Sequence, residues 1–164
     1  MKKNEIDSIK EQLQQLQDRL DGLEKEKAFP NMIPIPDRDY CVSETMITVG
    51  QFREYCNDTG ISMPNQPKPH HDNNPVTNVS WHAANDYINW LSKRTGTEYF
   101  LPSEDEYEHF CGDHREGNEK IAVFDQRQIC KVGTKEPNNF GLYDVLGLAW
   151  EWTRSKYIVN EEKS

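Results

Sequence analysis

Three kinds of side chain in this 164-residue chain are candidates for chemistry: four cysteines, a His-His-Asp run, and acids set among aromatics. Cys41, Cys56, Cys111 and Cys130 include no CxxC pair that would suggest zinc, and the first thirty residues hold no apolar core of a signal peptide. The thiols are therefore expected to be reduced and structural. A nucleophilic thiolate needs a cation beside it, and Cys111 has His109, His114 and Arg115 close in sequence. Cys111 and Cys130 are thus the thiols of an alternative, oxidoreductase reading. His70, His71 and Asp72 carry metal-ligating groups, but adjacent residues in a Pro-rich loop rarely both point at one ion. They read instead as surface, and with Gln66 and Lys68 they form a candidate binding loop. Glu151, between Trp150 and Trp152, reads as a hydrogen-bonded structural acid. The run Glu104, Asp105, Glu106 and Glu108 reads as a helix first turn, where carboxylates meet the positive end of the macrodipole.

The elements that position these residues have local signatures. Alternation from Tyr40 to Ile47 predicts a strand. Thr48 and Gln51 form a capping box opening a helix that Gly60 closes. "ISMPNQPKPHHDNNP" has four prolines and no periodicity, so it is a loop. Ser80 caps a helix whose Trp81, Ala84, Ile88 and Leu91 share a face, ending at Gly96; Ser103 and Glu106 form a second capping box, opening a short helix toward Gly112.

Residues 1–27 carry a different pattern. Ile6, Ile9, Leu13, Leu16, Leu20 and Leu23 alternate steps of three and four, a stripe narrow enough for a coiled-coil seam. At the flanking positions Glu5 faces Lys10, Gln12 faces Gln17 and Arg19 faces Glu24 of a parallel neighbour, and none of these pairs repels. A parallel dimer or trimer through residues 4–27 is expected, followed by a Pro-rich tether over 28–39, a head over 40–157 and a polar tail over 158–164. A net charge of −9 argues against nucleic acid or an anionic membrane as the main partner, both being polyanions. The same charge motivates an alternative reading, an acidic inhibitor of a nucleic-acid-binding protein. Its acids are scattered through caps and stalk, which sets that reading low.

Three blocks in order, "MITVGQFREYCNDTG", "NNPVTNVSWHAANDYINWLSKRTGTEYFLPSEDEYEHF" and "PNNFGLYDVLGLAWEWT", resemble the formylglycine-generating enzyme (sulfatase-modifying factor) superfamily over residues 40–154. The resemblance implies an α+β, C-type-lectin-like head with little regular secondary structure. Its Gly-Leu-Tyr-Asp and Trp-Glu-Trp segments would thread the domain centre, so Trp81, Trp90, Leu101, Tyr143, Trp150 and Trp152 are expected in the core. Family members that oxidise cysteine place a copper-binding cysteine pair downstream of Trp-Glu-Trp, whereas the eleven residues after Thr153 contain no cysteine. No catalytic residue is assigned on this ground. The family Asn that helps ligate calcium is Leu148 here, so no cofactor is expected. The combined expectation is a non-catalytic, cytoplasmic or virion-borne module, a pseudoenzyme of phage type, that binds itself and a protein partner.

Overall fold

The computed structural model describes residues 9–17, 29–112, 121–122 and 130–156. Residues 9–17 are helical (α1), followed by β1 (Met32–Pro34), β2 (Cys41–Ser43), α2 (Val49–Thr59), α3 (Trp81–Thr95) and α4 (Glu104–Cys111). Mixed helices around one two-stranded antiparallel sheet make up the regular structure among the described residues.

The helix limits follow from their caps. Thr48 accepts from the Gln51 amide at 3.2 Å, and the Gln51 side chain accepts from the Thr48 amide at 3.0 Å. Ser103 and Glu106 repeat the box on α4, and Ser80 Oγ caps α3 through the Ala83 amide. Gly60 and Gly96 close α2 and α3 at φ 73° and 74°, in the left-handed region where a Cβ is penalised.

The Pro-rich stretch expected as a tether instead supplies β1 and a core residue, Ile35. Proline is tolerated there because of register. Asn31 pairs with Glu44 and Ile35 with Tyr40 through backbone bonds, so Pro34 stands opposite Cys41 at a position whose amide points away from the ladder. The strand expected from Tyr40 to Ile47 shortens to Cys41–Ser43. Beyond it, the Glu44 carbonyl accepts from the Tyr143 amide and the Ile47 carbonyl from the Val76 amide, which diverts the backbone from the sheet.

Two apolar clusters hold the head together. Ile35, Phe110, Cys111, Leu142 and Val145 form one, and Phe52, Tyr55, Cys56, Tyr87 and Leu91 form the other. The second is an aromatic stack: Phe52 lies on Tyr87 at 5.4 Å between centroids, and Tyr55 meets Tyr87 edge-on at 5.8 Å. Trp90 joins it half-buried and donates to Asp58 Oδ2 at 2.7 Å.

The expected aromatic core is corrected at three positions. Trp150 is completely exposed at 103%, Trp152 is 50% exposed and Trp81 40%. For Trp152 and Trp81 the cause is polar anchoring at the surface. Trp152 Nε1 donates to the Val79 carbonyl at 2.8 Å and Trp81 Nε1 to the Thr153 carbonyl at 3.0 Å, so these indoles clip the 150–154 segment to the start of α3 from outside. Tyr143 and Leu101 are half-buried. On α1, Ile9, Leu13 and Leu16 are more than half exposed, while Ile6, Leu20 and Leu23 lie outside the described residues.

Candidate functional site

An apolar cleft of about 260 Å³ opens among the described residues. One wall is β2 and its continuation to Ile47, and another is the Ala84, Ile88 and Leu91 face of α3. Residues 99–102 and 149–152 form the mouth, so Trp150 and Trp152 stand at its rim with Phe100, itself 57% exposed. The i, i+4 and i+7 spacing of Ala84, Ile88 and Leu91 made this face legible as apolar, but only the fold shows that it borders open space.

Two carboxylates line the cleft, Glu106 and Glu151. Glu106 accepts from the Ser103 amide at 2.6 Å and pairs with Arg154 Nη2 at 2.7 Å. The amide and then the guanidinium hold its carboxyl below the usual range against the opposing effect of burial. Glu151 has no cation beside it among the described residues; its Oε1 accepts from Tyr107 Oη at 2.9 Å. Protein surrounds Glu151 at medium range and pushes its pKa up to about 7, with Asp144 adding repulsion and the Tyr107 bond opposing. Its own surface opens into the cleft. Tyr107 is held well above the ordinary phenol range by burial and then by the Glu151 charge.

Beneath them lies Cys111, buried at the end of α4, its Sγ 3.2 Å from the Val145 carbonyl. Burial and then Glu151 push the thiol up to about 11, opposite to what a nucleophilic thiolate requires. Cys56 is likewise raised by burial and contacts the Met63 sulfur at 3.8 Å. Cys41 is exposed on β2, and Cys130 faces Thr134 Oγ1 at 3.6 Å. All four thiols are free, and the contacts of Cys56, Cys111 and Cys130 differ. The basic neighbours His114 and Arg115 of Cys111 lie outside the described residues, and His109 Nδ1 accepts from Arg38 Nη2 at 3.3 Å.

The described residues do not fit the metals that the resemblance implied. No three of their His, Cys, Asp or Glu side chains gather into a possible ligand group. Leu148 offers no side-chain oxygen, and its φ of 61° lies in the left-handed region that Asn tolerates better than a branched apolar residue. Asp144, 1% exposed, accepts from the Gly133 amide at 2.6 Å through Oδ2 and leaves Oδ1 without a partner. Burial raises its pKa, against the opposing effect of the Gly133 amide.

The candidate binding loop divides. Gln66 is 6% exposed and spends its amide on the Thr77 backbone and the Pro64 carbonyl, so its placement among surface-binding residues is corrected: it is the loop's internal strut. Lys68, His70 and His71 are exposed, and Asp72 pairs with Arg53 at 2.6 Å.

Comparison with known proteins adds lineage to this geometry. Residues 15–163 match the model of the sulfatase-modifying factor enzyme 1-like domain. The chain is 29% identical over 122 residues to the formylglycine-generating enzyme of Bos taurus, covering 59% of this chain and 31% of that protein. It is 31% identical over 106 residues to the inactive C-alpha-formylglycine-generating enzyme 2 of Mus musculus, covering 51% and 32%. The chain therefore spans about a third of the length of these curated relatives. Among solved structures, CarF is similar with a TM-score of 0.57 at 18% identity, covering 82% of this chain and 80% of that one, which is a likeness of fold.

Proposed function

Because the chain belongs to the sulfatase-modifying factor enzyme 1-like family, we propose that it uses that family's head as a non-catalytic, oligomeric binding module. The observation that carries this reading is apolar surface left open in two places. The Ile9, Leu13 and Leu16 stripe of α1 is uncovered, and the cleft stands open beneath an exposed indole. Monomeric proteins rarely leave such contiguous patches bare, and both suit association. The C-type-lectin-like reading of the head fits the same picture, since irregular loops on a rigid scaffold serve recognition. Several heads on one stalk raise effective concentration, so modest contacts accumulate. This layout fits a phage-encoded virion component or host-interacting protein. No helix among the described residues is long and apolar enough to cross a membrane.

The state of the thiols supports catalytic silence. Cys111, the candidate with basic neighbours in sequence, is 4% exposed and raised to about 11. The similarity to an inactive relative points the same way. The test is sedimentation at micromolar concentration, where the full chain is expected as a dimer or trimer and Leu13→Asp as a monomer. A monomeric full-length protein overturns the oligomeric reading.

A further inference from the structure

The chain changes character at residue 146. Just before it, Leu142 and Asp144 are each 1% exposed and Val145 8%. From there on, none of residues 146–156 is buried, and residues 149–152 form the mouth of the cleft. A backbone turn joins the two stretches: the Ala149 amide donates to the Gly147 carbonyl at 2.8 Å around Leu148, whose φ is 61°, and Gly147 itself has φ 88°. A bond from residue i+2 back to residue i at positive φ is the rare, strained form of the γ-turn, and leucine carries a Cβ that this conformation penalises.

The contacts that fasten the segment beyond this turn are polar and lie at the surface. Toward α3, Trp152 donates to the Val79 carbonyl and Trp81 to the Thr153 carbonyl, and the Arg154 amide donates to the Pro102 carbonyl at 2.8 Å. Toward α4, Arg154 Nη2 donates to Glu106 at 2.7 Å and Ser155 Oγ accepts from the Glu104 amide at 2.9 Å. Exposed hydrogen bonds exchange for water at small net loss, whereas buried apolar area does not. A segment held in this way opens locally, well below the free energy of global unfolding. We propose that residues 147–155 form a strap over the cleft, hinged at Gly147 and Leu148, that opens as a unit while both apolar clusters stay packed. Release relieves the turn at Leu148, widens the mouth of the cleft and takes Ser155 away from the first amide of α4. The start of that helix therefore reports the strap from far along the chain. Opening of this kind depends neither on what occupies the cleft nor on oligomerisation of the chain.

The test is native-state hydrogen exchange of the full chain, followed residue by residue by NMR across low urea concentrations. The Arg154 amide lies in the strap and the Glu104 amide is bonded to it. Both are expected to share one opening equilibrium, roughly a hundredfold or more less protected than the buried Leu91 of α3 and nearly independent of urea. Trp81→Phe, which removes one latch, should speed both amides roughly threefold or more. Leu148→Gly, which accepts positive φ without penalty, should slow both by a similar factor. Arg154 and Glu104 amides that exchange only at the Leu91 rate, with its urea dependence, overturn the proposal, because the strap would then open only with the whole head. So do amides that answer Trp81→Phe differently from one another, which would deny a single unit. A Leu148→Gly chain that exchanges no more slowly than the parent also overturns it, since the hinge would then hold no strain.

Discussion

Replacing Gln66 by Ala removes one side chain and strands several backbone groups. Its Nε2 donates to the Thr77 carbonyl at 2.7 Å and to the Pro64 carbonyl at 3.1 Å, while its Oε1 accepts from the Thr77 amide at 2.9 Å. These bonds tie the two ends of the Pro-rich loop together just before α3. A buried backbone group left without a partner costs about 1–3 kcal/mol. Three groups are affected, but the two carbonyls lie near enough to the surface to regain water, so the expected loss is roughly 2–4 kcal/mol. For a chain of this size that is a fall in Tm of roughly 5–15 °C. The assay is thermal unfolding followed by circular dichroism, beside His70→Ala in the exposed part of the same loop, expected within about 0.5 kcal/mol of the parent. If Gln66→Ala melts with the parent, the strut is not holding the loop and the residue returns to the binding surface.

Two further substitutions probe the rim of the cleft. Trp150→Ala removes a fully exposed indole, so it should change stability by about 0.5 kcal/mol or less, whereas Leu142→Ala in the core should cost about 2–5 kcal/mol; urea denaturation of both compares them, and a large loss at Trp150 would mean that the indole is covered. Glu151 has its folded pKa raised to about 7 from 4.5, so protonation binds more tightly in the folded state. The stability it contributes is full below about pH 4.5 and is lost as pH rises toward 7. Melting temperatures across that window should fall less steeply in Glu151→Gln than in the parent, and parallel curves would refute the shift.

Local signals were legible in the sequence and long-range ones were not. Both capping boxes, the Ser80 cap and the glycines ending α2 and α3 stand where three- and four-residue spacings placed them, because capping depends on immediate neighbours. β1 was hidden because Met32–Pro34 lies among prolines, and only its register against β2 makes Pro34 acceptable. Gln66 looked like surface because nothing in a Pro-rich loop announces that Thr77, eleven residues on, will bond it. The indoles of Trp150 and Trp152 looked like core because size and apolarity favour burial. The outward placement of Trp152, like that of Trp81, depends on where the Val79 and Thr153 carbonyls lie, contacts across more than seventy residues. The cleft likewise joins β2, α3 and the 149–152 segment, which no local pattern connects. The three ordered sequence blocks did carry the family, because their order samples the whole head at once.

Catalytic silence is the central claim, and it is tested most directly by oxygen-dependent oxidation of a cysteine-containing peptide. Full-length protein is mixed with stoichiometric Cu(I), oxygen and a thiol reductant, and the peptide's mass is followed. The account predicts no formylglycine product and no tight copper binding, since Cys56 and Cys111 are buried with raised pKa values and all four cysteines are free, with Cys56, Cys111 and Cys130 in different contacts. Stoichiometric Cu(I) binding with turnover of the peptide cysteine would contradict it and make the chain an oxidase.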